Sequence, residues 1–422
     1  MLSWVSFFAD VSSEMIYPLL PLFLIGVLGS TKAELGLIEG AAVLIVAVMT
    51  AFAGFRSDRS GRRVRWIRIG YGLPMAGKAM IALATVWPLV LGGRLLDRFG
   101  KGLRSAPRDA MIAGAVSADQ RGRAFGLHRA MDTAGALIGV LLAAFLLWWL
   151  TGTPLKDADA GVTVAATQTP AWVYRAIFGV GAGLGLASFL LTFLVREAES
   201  AKPEPGAPAP ITLSADSPAN AAVTGQPRIP LPRSYWTVLG VLVLFSLANS
   251  SDTFILLRAS DLGYSPWAVV MVYALFNLTY SALSYPAGVL SDRLGRWRVI
   301  AAGWLIYAVV YAGFALLPPA HAWGMWPLMA LYGIYMALTD GVGKALIADH
   351  APTERRGAAM GIFYALTGLT TLVASLIVGV MWDRSGPQAA FLAGAGFAVL
   401  SLIGLAFARF MERKQALTKT VP

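Results

Sequence analysis

Cysteine is absent from this chain of 422 residues, which excludes disulfides and thiolate metal sites. Histidine is scarce: His128, His321 and His350 are the only three, they lie far apart, and no HxxxH pair of the metal-binding kind exists. Charge is thin as well, at 14% of residues, where a soluble protein carries roughly 25%. Acid is the scarcer sign, with 23 Asp and Glu against 34 Lys and Arg. No GxSxG, HExxH or paired-carboxylate loop is present, so the common hydrolase signatures are missing. What fills the space is apolar: 57% of residues are hydrophobic and the mean hydropathy is +0.65. That balance implies a polytopic membrane protein whose lipid-facing surface is itself apolar. The net charge of +11 is spread over short loops instead of one face, so membrane topology explains it better than nucleic acid does.

Twelve apolar runs are long enough to cross a hydrocarbon layer of ~30 Å. Their limits are 2–28, 35–53, 66–87, 89–113, 122–150, 172–195, 235–257, 267–287, 299–317, 323–348, 358–381 and 389–410. The first run begins almost at Met1, which leaves room for residues upstream. A signal peptide does not fit it, because it lacks a basic leader and holds Asp10 and Glu14. Segments 54–65, 196–233, 288–298 and the tail hold most of the loop Lys and Arg, while the opposite side has Lys32, Lys156, Arg384 and Arg258. By the positive-inside rule both termini are expected in the cytoplasm of a bacterial-type inner membrane. Segment 196–233 is rich in Pro, Ala and Ser and reads as a flexible linker, dividing 1–195 from 234–422. The glycines at 179, 181, 183 and 185 fit close helix packing better than a nucleotide loop.

The chain is a duplication. Gly54-Phe-Arg-Ser-Asp58-Arg59-Ser-Gly61-Arg62 returns 234 positions later as Gly288-Val-Leu-Ser-Asp292-Arg293-Leu-Gly295-Arg296, and Arg121-Gly122 is answered by Arg356-Gly357. A Gly-x-x-x-Asp-Arg-x-Gly-Arg loop between the second and third spans of each half resembles the signature of the major facilitator superfamily of transporters. Arg56 stands where that family usually has Leu. The resemblance implies an all-α membrane protein of twelve transmembrane helices in two pseudo-symmetric six-helix bundles. It also implies that Asp58 and Asp292, with Arg59, Arg62, Arg293 and Arg296, form a latch that closes the cytoplasmic side in one state.

The fourth span holds the densest charge. At 100° per residue Arg94, Asp97, Arg98, Lys101, Arg104, Arg108 and Asp109 fall within an arc of about 140°. One charge at the bilayer centre costs roughly 2.5–3.5 kcal/mol on the lenient scale, so the arc is expected to face a wet cavity or partner charges. Arg104, Arg108 and Asp109 are near enough to the helix end to reach the cytoplasmic surface. In the first span Asp10 and Glu14 share a face, and Glu14-Met15-Ile16-Tyr17-Pro18 resembles helix 1 of proton-coupled multidrug antiporters. Arg94 resembles that family's helix-4 arginine, with Asp97 and Arg98 in place of the usual Gln and Gly. Gly135-x-x-x-Gly139 resembles its helix-5 motif, with Val140 where the motif has Pro. Arg129 and Asp132 form a possible inward pair on the fifth span, and Lys78 is isolated in the third. Asn249 and Asp252 stand one turn apart on helix 7, and Asp340 and Lys344 make an i,i+4 pair on helix 10. Tyr332 and Tyr335 fit a cavity lining or a packed core equally well.

The expected function is secondary active transport: proton-coupled efflux of small amphipathic or drug-like molecules. Carriers of an anionic metabolite, such as an organic phosphate or carboxylate, and divalent metal exporters are the alternatives. Proton coupling is assigned to Asp10, Glu14, Asp97 and Asp132, and the substrate cavity to Arg94, Arg98, Lys101, Asn249, Asp252, Asp340 and Lys344. The energy source is a proton gradient and no cofactor is expected. The partners are the substrate, protons and the lipid bilayer, with no nucleic acid, and the protein is expected to act as a monomer.

Overall fold

The computed structural model describes residues 1–60, 63–114, 121–152, 169–195, 230–352 and 356–419, and the side chains at 51, 54–55, 58–60, 110, 113–114, 121–127, 129–130, 356–358 and 410–419 are not described. Among the described residues there are helices and turns and no strand. The longer helices are α1 (Leu2–Ile16), α2 (Lys32–Ser60), α3 (Arg63–Ala82), α4 (Trp87–Gly114), α5 (Arg121–Thr151), α6 (Ala171–Leu191), α7 (Arg233–Ala248), α8 (Thr253–Asp261), α9 (Pro266–Leu294), α10 (Arg296–Leu316), α11 (Met325–His350) and α12 (Arg356–Lys419). The last is two helices running together across Gly386, whose φ of 83° breaks the helical backbone ahead of Pro387. Eight described stretches are long and apolar enough to cross a membrane by themselves. The charged residues on α4 keep it out of that set. Phe145, Trp149, Leu305, Val309, Ile403 and Phe407 are exposed, the surface expected where the solvent is lipid.

The chain groups into two compact units. The first is Met1–Ser30, Ala41–Gln226 and Gly263–Met271, and the second is Thr31–Gly40, Pro227–Leu262 and Val272–Pro422. In the first unit α1 packs on α5 and α6, and α3 packs on α4 and α6. The backbones of α3 and α4 meet at Gly77 and Gly93: a Cβ at Gly77 would collide with the Gly93 carbonyl and with the backbone of Asp97. That crossing brings the charged face of α4 against α3. Gly135 and Gly139 do the same for α5, lying on the backbone of Phe7 and Val11 of α1. In the second unit α12 packs on α7 and α10, and α10 packs on α11. Its interior is aromatic, with Tyr307, Tyr311, Tyr332 and Tyr335 all buried and Phe245 stacked on Trp304 at 4.4 Å between ring centres.

Two expectations are corrected by the backbone. The repeated motif does not lie in loops: α2 runs helical through 54–60, and α9 through 288–294. Arg56, Arg59, Leu290, Arg293 and Leu294 are good helix formers and outweigh the Ser and Asp residues between them. Gly295 has φ 90°, and its N–H returns to the Ser291 carbonyl at 3.0 Å, a glycine stop that a side chain would strain. Asn249 and Asp252 are likewise not one turn apart on a continuous helix, because the chain leaves the helix between α7 and α8. Asn-Ser-Ser-Asp explains the break, since each of these side chains competes for backbone groups. The hydroxyls of Ser251 and Thr253 lie 2.9 Å apart, and the Ser251 N–H donates to Ser375 Oγ at 3.1 Å.

Candidate functional site

Asp97 is the centre of the charged face in the first unit. It is 4% exposed, and three cations surround it: Arg98 Nε at 3.5 Å, Arg94 Nη1 at 3.7 Å and Lys78 Nζ at 3.9 Å. Lys78, from α3, is buried too, and its ammonium donates to Ser12 Oγ at 2.7 Å and Ser13 Oγ at 2.9 Å of α1. Ser12 in turn donates to the Gly181 carbonyl of α6. The lysine isolated in sequence is therefore the joint where α1, α3 and α4 meet. Arg94 also lies over the Tyr17 ring at 5.3 Å, a cation–π contact that ties α4 to the C-terminal end of α1. Asp10 and Glu14 are partly buried on α1 and fall within electrostatic range of Lys101, which is exposed on the face of α4.

Farther along α4 the charges are held and do not reach for the membrane surface. Arg104 is buried, donates to the Gly70 carbonyl at 3.1 Å and lies over the Tyr71 ring at 4.3 Å. Arg108 pairs with Asp109 at 3.0 Å, donates to Ser6 Oγ at 3.1 Å and has Asp132 at 4.0 Å. Asp132 also has His128 Nε2 at 3.6 Å, one turn away on α5. Both guanidinium groups are thus held by side chains and carbonyls inside the first unit, Arg104 buried and Arg108 partly buried. Their partners are close enough to be preferred over a stretched side chain. Of Arg129 and Asp132, expected to face helix 4 together, Asp132 does meet Arg108 of α4, and the Arg129 side chain lies outside the described residues.

The second unit gathers a different set. Asp252, in the break between α7 and α8, accepts the Tyr332 hydroxyl at 2.6 Å. Tyr332 and Tyr335 are both 1% exposed and sit in the aromatic core, so they pack instead of lining an open cavity. The Tyr307 hydroxyl donates to the Ala248 carbonyl that α7 leaves free where it ends. Glu39 is 3% exposed and within electrostatic range of Asp252. Its signal in the sequence was its being the one acid inside the apolar run 35–53. Asp340 and Lys344 close their pair at 2.7 Å, and Tyr280 donates to the same carboxylate at 3.0 Å. Asn249 stands at the C-terminal end of α7. Among the described residues no three His, Asp or Glu side chains converge as they would around a metal ion.

Of the twin motifs, Gly61 and Arg62 lie outside the described residues, as do the surroundings of Gly54 and the side chains of Asp58 and Arg59. In the second copy Asp292 has Arg296 at 3.5 Å, and Arg296 pairs with Asp349 of α11. Gly288 has open space around it, and the Arg293 side chain is exposed.

Helix bundles with charged groups inside apolar spans and a helix broken at a partly buried carboxylate fit a membrane transporter. The Major Facilitator Superfamily model matches residues 2–342 and 259–421, and the chain belongs to that family. An uncharacterised MFS-type transporter of Methanocaldococcus jannaschii is 31% identical over 414 residues, covering 96% of this chain and 94% of that one. The multidrug resistance protein MdtH of Escherichia coli O1:K1 / APEC is 24% identical over 402 residues, covering 93% and 87%. Among solved structures, a mutant of the nucleoside transporter NupG superposes with TM-score 0.75 at 14% identity, covering 96% and 98%. The POT family transporter PepTSo superposes with TM-score 0.71 at 15% identity, covering 98% of each chain. The protein is a multi-pass membrane transporter and not an enzyme.

One prediction separates the two ends of the α4 face. Arg94→Ala removes an ion pair to Asp97 and the contact with Tyr17, and is expected to abolish transport. Arg108→Ala keeps much of it, because the closest partner of Arg108 is its own neighbour Asp109. Uptake or efflux of a substrate by both variants, at matched expression, checks the difference. Equal losses would place the Ser6–Arg108–Asp132 network in the transport path.

Proposed function

We propose that this protein is a proton-coupled exporter of small amphipathic or drug-like molecules, working by alternating access between two six-helix halves, 1–195 and 234–422, joined by the linker 196–233. Both termini lie in the cytoplasm of a bacterial-type inner membrane, and the working unit is the monomer. The observation that carries this reading is the buried Asp97 among Lys78, Arg94 and Arg98, with Lys78 bonded to α1 beside Glu14. A carboxylate so placed is coupled to the position of two other helices, and its ion pairs change if those helices move. Protonation of Asp10, Glu14, Asp97 or Asp132 then shifts the balance between states, which is what coupling requires. The MdtH relatives support export of drug-like molecules. Asp58 and Asp292 act as cytoplasmic latches, so Asp58→Asn impairs transport more than expression.

A second reading is carriage of an anionic metabolite. It is favoured by the excess of base on α4, where Lys101 is exposed and Arg98 only partly covered. Everted membrane vesicles separate the two. On energisation with a proton gradient, accumulation of cationic dyes supports the first reading. Accumulation of organic phosphates or carboxylates without dyes overturns it in favour of the second.

A further inference from the structure

Helix α2 begins with a set of contacts that the ion cluster does not use. Thr31 and Glu34 form a reciprocal cap: the Glu34 N–H donates to Thr31 Oγ1 at 3.1 Å, and the Thr31 N–H to Glu34 Oε2 at 2.8 Å. The two amides between them, at Lys32 and Ala33, donate to the carboxylate of Asp383 on α12 at 3.1 and 2.9 Å. Lys32 Nζ lies 4.0 Å from the same carboxylate. An acid from a distant helix therefore caps the positive end of α2. Behind the cap the two backbones touch. A Cβ at Gly36 would collide with the backbone of Ser375, one at Gly40 with that of Leu372, and one at Gly379 with that of Lys32 and Ala33. Leu372, Ser375, Gly379 and Asp383 recur every three to four residues, so they form one stripe of α12.

The grouping of the chain makes this contact mechanically special. Thr31–Gly40 belongs to the second unit, whereas α2 from Ala41 onward belongs to the first. The 234-residue offset carries 31–40 onto 265–274, and Gly263–Met271 is the stretch counted with the first unit. The anchoring is unequal, because the position matching Asp383 is Trp149, which is exposed and cannot accept a hydrogen bond.

We propose that Asp383 is a latch at the end of α2 remote from the Gly54–Arg62 motif, holding α2 against α12 and so keeping the non-cytoplasmic side shut until its two backbone hydrogen bonds break. The latch rests on the alternating-access reading and on the orientation given above. It places opposed acidic latches at the two ends of one helix: Asp58 for the cytoplasmic side and Asp383 for the other.

The chain has no cysteine, so a single Ser375→Cys serves as reporter in the full-length protein. Ser375 is fully buried at the α2 contact. In right-side-out vesicles, a membrane-impermeant maleimide is expected to label it slowly. Added Asp383→Ala speeds labelling about five-fold, the size of a lost helix cap, while Asp383→Glu stays near the parent rate. Retention on size exclusion confirms that each variant is folded. An unchanged rate in the Ala variant, or an equal rise in the Glu variant, overturns the latch. Faster labelling seen only with reagent sealed inside upholds the latch and overturns the proposed orientation. Since labelling involves neither substrate nor proton gradient, failure of the exporter reading leaves the result standing.

Discussion

Asp97→Asn is expected to abolish transport, as Arg94→Ala does, and to lower thermal stability more than any other single substitution in the Asp97 cluster. Removing the carboxylate leaves Lys78 and Arg94, each 3% exposed, as buried cations without their shared anion. Breaking a buried ion pair by removing one partner costs about 3–5 kcal/mol, mostly as the penalty on the charge left behind. Lys78→Met is expected to cost less, because Arg94 and Arg98 still neutralise Asp97. It also frees Ser12 and Ser13, loosening α1 against α3. The double variant Lys78→Met/Asp97→Asn recovers part of the lost stability and none of the transport. Thermal unfolding in detergent, set beside transport in reconstituted vesicles, separates the two effects. A stable, active Asp97→Asn variant would remove Asp97 from the centre of the mechanism.

What can be read from the sequence follows the range of the interactions involved. Membrane character and the gathering of charge on α4 depend on composition and helical period, both local properties, and each is present in the fold. The i,i+4 pair of Asp340 and Lys344 is legible for the same reason. Partners from other helices are not. Nothing adjacent to Lys78 says that it reaches both Asp97 and two serines of α1, and nothing near Arg104 points to Tyr71 and the Gly70 carbonyl. Apolar length conceals the break at 249–252, because polar residues that compete for the backbone still sit inside a run long enough to span a membrane. Glu39 escapes notice because one acid in an apolar run states its cost and not its neighbours.

Glu14→Gln is expected to uncouple transport without stopping it. Glu14 lies on α1, partly buried, one turn beyond Asp10 and one turn before Pro18, within electrostatic range of Lys101. Beside it on α1, Ser12 and Ser13 receive Lys78, which also pairs with Asp97. A change of charge at Glu14 is therefore felt at the joint of three helices, and a movement of those helices alters how well Glu14 holds a proton. Glutamine keeps the shape and the hydrogen-bonding reach but cannot exchange a proton with either side. Substrate binding and substrate-for-substrate exchange persist, because each needs the two states to interconvert only with substrate bound. Uphill movement driven by a pH difference is lost. Asp10→Asn gives a partial form of the same defect. The assay uses reconstituted protein under an imposed pH gradient, with exchange and net uphill transport measured on one preparation. If the Gln variant still concentrates substrate in response to the gradient, the coupling proton resides elsewhere. Asp97, held by three cations, and Asp132, beside His128 and Arg108, are then the acids to replace next.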